Sequence, residues 1–296
     1  MAADLQLRGV YVPLVTPFDE DGAVDVDALE RLAGDVLAAG AAGVVALATT
    51  GEATSLDDDE RAAVIAACSR VCVDRGADLV VGAGTNDTRT TVARHEALAD
   101  VPGVTASLAV VPYYVRPSEA AIVAHFEHVA AHSPVPVVAY NIPYRTGRGL
   151  GAESLLRLAD TDNVAGVKQA VDGIDADTLT LLARAPRGFA VLGGDDPYLF
   201  PMTLMGAPGA IAASANLCTA RFVAMIEDGL AGAVETGRAH AEALLPLVRA
   251  LFAEPSPAVI KALLHAEGRI ATPDVRMPLS NASAAAVTTA TAARPA

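Results

Sequence analysis

The 296-residue sequence predicts a (β/α)8 TIM barrel over residues 1–230, followed by a C-terminal helical region over residues 231–296. Three observations carry this reading. Eight short apolar runs bounded by Gly, Pro, Thr or Asn alternate with helical stretches between about residues 9 and 230. Each run is apolar throughout, as expected of parallel strands buried on both faces. The first run is followed by Thr16-Pro17-Phe18-Asp19, not by the glycine cluster that opens a doubly wound dinucleotide fold. Gly82-Ala83-Gly84 lacks the third glycine, and Gly147-x-Gly149-x-Gly151 does not directly follow a strand.

The runs are Val10–Val15, Val44–Ala48, Leu79–Val81, Thr105–Val111, Val135–Tyr140, Val164–Val167, Phe189–Leu192 and Ala210–Ala213. After the first, Leu29, Leu32, Val36 and Leu37 recur at helical spacing, with Asp27 and Glu30 placed as a cap and its reciprocal partner. After the second, Val64, Cys68, Val71 and Cys72 form a helix stripe behind the acidic turn Asp57-Asp58-Asp59-Glu60. Ile122, Phe126 and Val129 do the same after Pro117-Ser118. Beyond residue 231, Val234 to Leu251 and Val259 to Leu264 read as two helices separated by Pro255-Ser256-Pro257. The small, polar stretch after Leu279 is expected to be a mobile tail.

Composition narrows the function. The chain has 21 Lys+Arg against 35 Asp+Glu, a formal net charge of −14, and only two lysines, Lys168 and Lys261. Neither lysine ends a P-loop motif. An acidic chain without a basic run is a poor match for nucleic acid or anionic lipid. No stretch reaches the roughly 18 apolar residues of a membrane helix. The N-terminal stretch has no charged region ahead of an apolar one, which argues against a secretory signal. Three cysteines cannot frame a chain this long with disulfides, so a cytoplasmic, reducing location is expected.

Function in a barrel collects at the C-terminal ends of the strands. Those positions carry Thr49-Thr50-Gly51-Glu52, Tyr113-Tyr114, Tyr140-Asn141, Lys168-Gln169, Gly193-Gly194-Asp195-Asp196 and Ser214-Ala215-Asn216. Lys168 ends strand six inside the mouth, where burial depresses an ammonium pKa and frees a nucleophilic amine. Arginine cannot serve this way, because guanidinium does not deprotonate. The plainer alternative is a lysine paired with a carboxylate. Tyr140 is placed to shuttle a proton, or else is a satisfied core-edge tyrosine. The Thr49-Thr50-Gly51 turn offers hydroxyls and N–H groups to a carboxylate, and Arg145 a bidentate fork. Asp195-Asp196 reads as a helix cap. His125, His128 and His132 sit on an outer-helix shoulder, and Cys68 and Cys72 belong to the core. Lys261 reads as solvated or salt-bridged.

Val15-Thr16-Pro17-Phe18, Thr49-Thr50-Gly51-Glu52, Pro112-Tyr113-Tyr114, Tyr140-Asn141-Ile142-Pro143-x-Arg145-Thr146-Gly147, Gly166-Val167-Lys168 and Gly194-Asp195-Asp196 recur in order. Together they resemble the dihydrodipicolinate synthase / N-acetylneuraminate lyase family of Schiff-base aldolases over about residues 8–280. The resemblance implies that Lys168 forms an imine with pyruvate, with no cofactor and no metal. It implies that Tyr140 relays protons and that Thr50 links Tyr140 to Tyr114, the latter reaching in from a neighbouring subunit of a homotetramer. Thr49 and Thr50 would hold the pyruvate carboxylate, and Ile211 would line the pocket through its backbone. Arg145 resembles the synthase branch, implying condensation with L-aspartate-4-semialdehyde on the route to diaminopimelate and lysine. Another aldolase or hydratase of the family, or a non-catalytic keto-acid-binding paralogue, are the alternatives. Ala48, Val115 and Gln169 depart from the family pattern. Thr90, Asp58 and Arg61 stand where lysine-inhibited synthases carry Glu and His, which implies weak or absent lysine inhibition.

Overall fold

The structure is a computed structural model that describes residues 5–295; residues 1–4, at the start of the N-terminal stretch read above, and Ala296 lie outside it. The barrel runs β1 (Gly9–Pro13), α1 (Val26–Ala38), β2 (Gly43–Ala46), α2 (Asp58–Arg75), β3 (Asp78–Gly82), α3 (Thr88–Glu96), β4 (Val104–Val110) and α4 (Glu119–His132). It continues through β5 (Val137–Asn141), α5 (Pro143–Thr146), α6 (Ala152–Ala159), β6 (Val164–Gln169), α7 (Ala176–Arg184), β7 (Ala190–Gly193), α8 (Leu199–Leu204), β8 (Gly209–Ile211) and α9 (Thr219–Ala231). The strands close in sequence order, with β1 parallel to both β2 and β8. All eight expected strands are present. The fifth starts at Val137 instead of Val135, because Pro136 has no N–H for the ladder.

Alternation along each strand builds two layers of core. Tyr11, Val45, Val80, Leu108, Val138, Tyr140, Leu192 and Ile211 pack in one cluster inside the barrel. Val137, Ala139 and Val167 pack instead with Phe126, Leu155 and Leu181 of the surrounding helices. Cys68 and Cys72 are fully buried in the layer around β1 to β3, as their helix stripe indicated. Close strand approach demands glycine at Gly82, where a Cβ would sit 2.0 Å from the Leu47 carbonyl oxygen. Among the described residues no helix is long and apolar enough to cross a membrane.

Three local expectations are corrected. The cap of α1 is Asp25, whose side chain accepts the Ala28 N–H, and not Asp27, which lies within the first turn. Asp57 and Glu60 form the reciprocal capping box, at the start of α2. The stretch read as a mobile tail contains a helix, α12 (Ala284–Ala292), which packs on α10 (Val234–Leu251) and α11 (Ala258–Ala266). Its alanines have high helix propensity, and their small side chains let Ala290 become fully buried. The Ser283 side chain caps it by accepting the Ala286 N–H.

His125 is not a shoulder residue but is buried between α3 and α4, with Nδ1 2.9 Å from the Thr88 hydroxyl. Nearby His95 is buried too, its Nδ1–H donating to the Thr91 carbonyl at 2.7 Å. Neither Nε2 has a partner among the described residues. Burial, then the neighbouring His95 and His128, push the His125 pKa down to about 4, against a smaller opposing pull from Asp87. A folded value below the unfolded one means that the unfolded chain binds the extra proton. This stability contribution is therefore complete above the ordinary value of about 6.5 and is lost as pH falls toward about 4. Unfolding free energies from denaturant titrations between pH 7 and 5 are expected to fall less steeply in His125→Gln, by up to about 1.4 kcal/mol per pH unit. Equal slopes in the two proteins would show that His125 does not titrate on unfolding.

Candidate active site

The strand ladder places the key residues opposite one another. Tyr140 of β5 is the register partner of Lys168 of β6, whose other neighbour is Leu192 of β7. Lys168 is 5% exposed, and its Nζ lies 4.3 Å from the centre of the Tyr140 ring. Room for its stem comes from Gly194, where a Cβ would stand 2.9 Å from Lys168 Cγ. Burial pushes the Lys168 pKa down to about 8; Asp196 and Asp195 pull it up, and Arg145 pushes it further down.

The two aspartates do not cap a helix. Asp196 is buried, and its Oδ2 accepts the Ser214 N–H at 2.6 Å, while Asp195 Oδ2 accepts the Asp172 N–H at 2.7 Å. Pro197 removes one of the N–H groups that a cap at Asp195 would use, and α8 begins only at Leu199. Burial pushes the Asp195 pKa up to about 6. The pair thus lends negative potential to Lys168 while its hydrogen-bonding capacity is spent on loop backbone.

Tyr140 is 7% exposed, and burial raises its phenol pKa well above the ordinary value. Thr49 lines the mouth cavity beside Tyr140 and its side chain acts to lower that pKa, whereas Thr50 is buried. After β2 the chain enters a single 3-10 turn, Thr49–Gly51, that leaves Thr49 exposed to the mouth and buries Thr50. The Thr16 hydroxyl donates to the Gly51 carbonyl at 2.7 Å and fixes the turn from β1. Glu52 follows in the left-handed region at φ 53° and points into the protein. Its Oε1 accepts from Lys261 Nζ at 2.9 Å, with both side chains fully buried, and its Oε2 accepts the Arg276 N–H at 2.7 Å. The Phe18 ring meets both cations, its centre 3.9 Å from Lys261 Nζ and 4.4 Å from the Arg276 guanidinium carbon. Lys261 is therefore salt-bridged and not solvated. The sequence could not show this, because its partner lies 209 residues away.

Arg145 stands on α5, exposed at the mouth, with its guanidinium carbon 5.8 Å from the Tyr144 ring centre. Thr49, Tyr113, Tyr140, Arg145, Arg61 and Arg94 are among the residues lining a cavity of about 260 Å³. Ile211 is buried at the end of β8 in the interior cluster with Tyr140 and Leu192. Tyr114 is not brought to Tyr140 within one chain. It is 87% exposed with φ 70°, a conformation that costs a tyrosine about 1–3 kcal/mol. Among the described residues no group of three or more His, Cys, Asp or Glu is arranged to hold a metal.

An α/β barrel with a desolvated amine and a phenol at its mouth has the groups that Schiff-base chemistry on a carbonyl compound requires. Comparison with known proteins makes this specific. The model of the dihydrodipicolinate synthetase family matches residues 6–293. The 4-hydroxy-tetrahydrodipicolinate synthase of Neisseria gonorrhoeae is 37% identical over 273 residues, 92% of each chain. That of Salinibacter ruber is 38% identical over 281 residues, covering 95% of this chain and 92% of its own. The crystal structure of the Thermotoga maritima dihydrodipicolinate synthase superposes with a TM-score of 0.91 at 33% identity, covering 97% of both chains. The chain belongs to the dihydrodipicolinate synthetase family.

The depressed Lys168 pKa can be measured without any substrate. Competitive labelling with acetic anhydride, with the Lys168 peptide read by mass spectrometry, is expected to give a reactivity that rises with pH and levels off above about 8. An inflection near 10.5, the value of an unperturbed lysine, would contradict the assigned environment.

Proposed function

We propose that the protein condenses pyruvate with L-aspartate-4-semialdehyde to 4-hydroxy-tetrahydrodipicolinate. The observation that carries the reading is the buried Lys168 amine, pKa about 8, paired in register with Tyr140, which lines the mouth cavity together with Arg145. The names of the relatives support the same substrates.

The neutral Lys168 amine adds to the C2 ketone of pyruvate, and loss of water leaves an imine. Removal of a C3 proton gives the enamine, whose C3 attacks the aldehyde carbon as the aldehyde oxygen takes a proton. The amino group of the semialdehyde then adds to the imine carbon and expels Lys168, closing the ring. Tyr140 carries these protons, and Thr49, which lines the mouth beside it, is favoured over the buried Thr50 as the link to Tyr114. The Thr49–Gly51 turn cradles the pyruvate carboxylate, beside the backbone of Ile211, and Arg145 takes the carboxylate of the aldehyde. Tyr114, exposed and held in a strained conformation, serves the mouth of a neighbouring subunit in a homotetramer. The reaction needs no cofactor, and its place is the cytoplasm, consistent with three free cysteines. Free lysine inhibits weakly or not at all, since Thr90, Asp58 and Arg61 stand where lysine-inhibited synthases carry Glu and His.

Turnover of pyruvate with L-aspartate-4-semialdehyde tests the reading. Arg145→Ala is expected to lose about 100-fold or more in kcat/KM for the semialdehyde while still forming the pyruvate imine. Wild-type protein that turns over other aldehydes but not this one would refute the choice of second substrate.

A further inference from the structure

The residues that follow the reactive pair form a second pair on the other face of the same two strands. Asn141 of β5 is the register partner of Gln169 of β6, one position beyond Tyr140 and Lys168. Successive residues of a strand face opposite sides. Tyr140 packs inside the barrel, so Asn141 and Gln169 face outward, toward the chain that links β5 to α6. They are 1% and 2% exposed, and no step of the proposed reaction uses either side chain.

Their amides form a chain of hydrogen bonds. Asn141 Oδ1 accepts the Leu150 N–H at 3.0 Å, and Asn141 Nδ2 donates to the Leu150 carbonyl at 3.0 Å. The same Nδ2 donates to Gln169 Oε1 at 3.0 Å. Gln169 Nε2 in turn donates at 3.1 Å to the hydroxyl of Thr178, which is fully buried on α7. Gln169 thereby holds Asn141 in the one orientation that meets both the N–H and the C=O of Leu150.

Leu150 is where the excursion that begins at Asn141 returns to the barrel, nine residues on. Arg145 stands on that excursion, on α5. Within it the Thr146 hydroxyl donates to the Ile142 carbonyl at 2.9 Å, and the chain turns at Gly147 with φ 72°. A Cβ at Gly149 would stand 3.1 Å from Asn141 Oδ1, so the returning chain passes close over the amide. Both ends of the segment that carries Arg145 are thus set at Asn141, one by the covalent chain and the other by its side chain. A displacement of about 1 Å at a group that orients substrate can cost about 100-fold in rate.

We propose that Asn141 and Gln169 are positioning residues that hold the Arg145 segment against β5 and β6, and so set the fit of the aldehyde's carboxylate. The link to that carboxylate rests on the function proposed above. The hold on the segment does not.

The test uses Gln169→Met, which keeps the volume and removes both hydrogen bonds. It is expected to lower kcat/KM for the semialdehyde about tenfold, with borohydride trapping of pyruvate on Lys168 unchanged. Gln169→Glu, which can accept from both Asn141 Nδ2 and the Thr178 hydroxyl, is expected to recover most of the loss. In an Arg145→Ala background Gln169→Met is expected to cost less than about twofold more, because the group it positions is already gone. Hydrogen exchange of residues 142–151, read by mass spectrometry on the substrate-free protein, is expected to be about tenfold faster in Gln169→Met. Asn141→Asp, which sets a carboxylate against the Leu150 carbonyl, is expected to speed it likewise and covers a failure of Gln169→Met to fold. Unchanged exchange in the two variants would overturn the proposal. So would an equal loss of pyruvate trapping, or a full tenfold cost in the Arg145→Ala background. Faster exchange in a protein that does not turn over the semialdehyde would refute the functional reading and leave the hold on the segment standing.

Discussion

The cost of burying an ammonium group at Lys168 is the constraint that organises this protein. Water would stabilise the charged form, and the barrel withholds it: the side chain is 5% exposed beneath the Tyr140 ring. The barrel could have removed the effect by seating a carboxylate against the amine. Instead Asp195 and Asp196 are turned to the backbone N–H groups of Asp172 and Ser214. They lend negative potential without forming an ion pair, so a useful fraction of neutral amine survives at ordinary pH. The flat stem of the lysine requires glycine at position 194, and its register with Tyr140 follows from the β5–β6 ladder.

The second lysine shows the opposite solution with the same side chain. Lys261 is also buried, but it meets Glu52 at 2.9 Å and lies over the Phe18 ring. Leaving either charge of such a pair alone costs about 3–5 kcal/mol. The pair joins α11 to the turn that carries Thr49, while Arg276 adds a backbone N–H to Glu52 and two hydrogen bonds to Glu60. Through these contacts the C-terminal region anchors the mouth-lining turn from behind. One buried lysine is kept reactive by withholding a partner, and the other is made structural by supplying one.

What the sequence revealed and what it hid follow from range. Eight apolar runs, their order and the residues ending them are local signals, and strand periodicity carried them to the correct end of the barrel. Strand-end position singles out Arg145 and Tyr114, and family resemblance suggests their roles. One turn of 3-10 helix decides which of Thr49 and Thr50 faces the mouth, and adjacent identical residues give no sequence pattern to separate them. Asp195-Asp196 looked like a cap because carboxylates before a helix commonly are; the effect of Pro197 and the distant Ser214 N–H appear only in three dimensions. The helix at Ala284–Ala292 was masked by its small residues, which resemble a loose tail until α10 and α11 supply a surface.

The central claim is that Lys168 is the amine that joins the keto acid. Borohydride reduction in the presence of pyruvate, followed by intact mass and peptide mapping, tests it most directly. Only Lys261, ion-paired in the core, and the N-terminus compete as primary amines, so the result is readily assigned. The account predicts one reduced pyruvyl adduct on Lys168 and none in Lys168→Ala. An adduct that persists in Lys168→Ala, or its absence from the wild type, would contradict it.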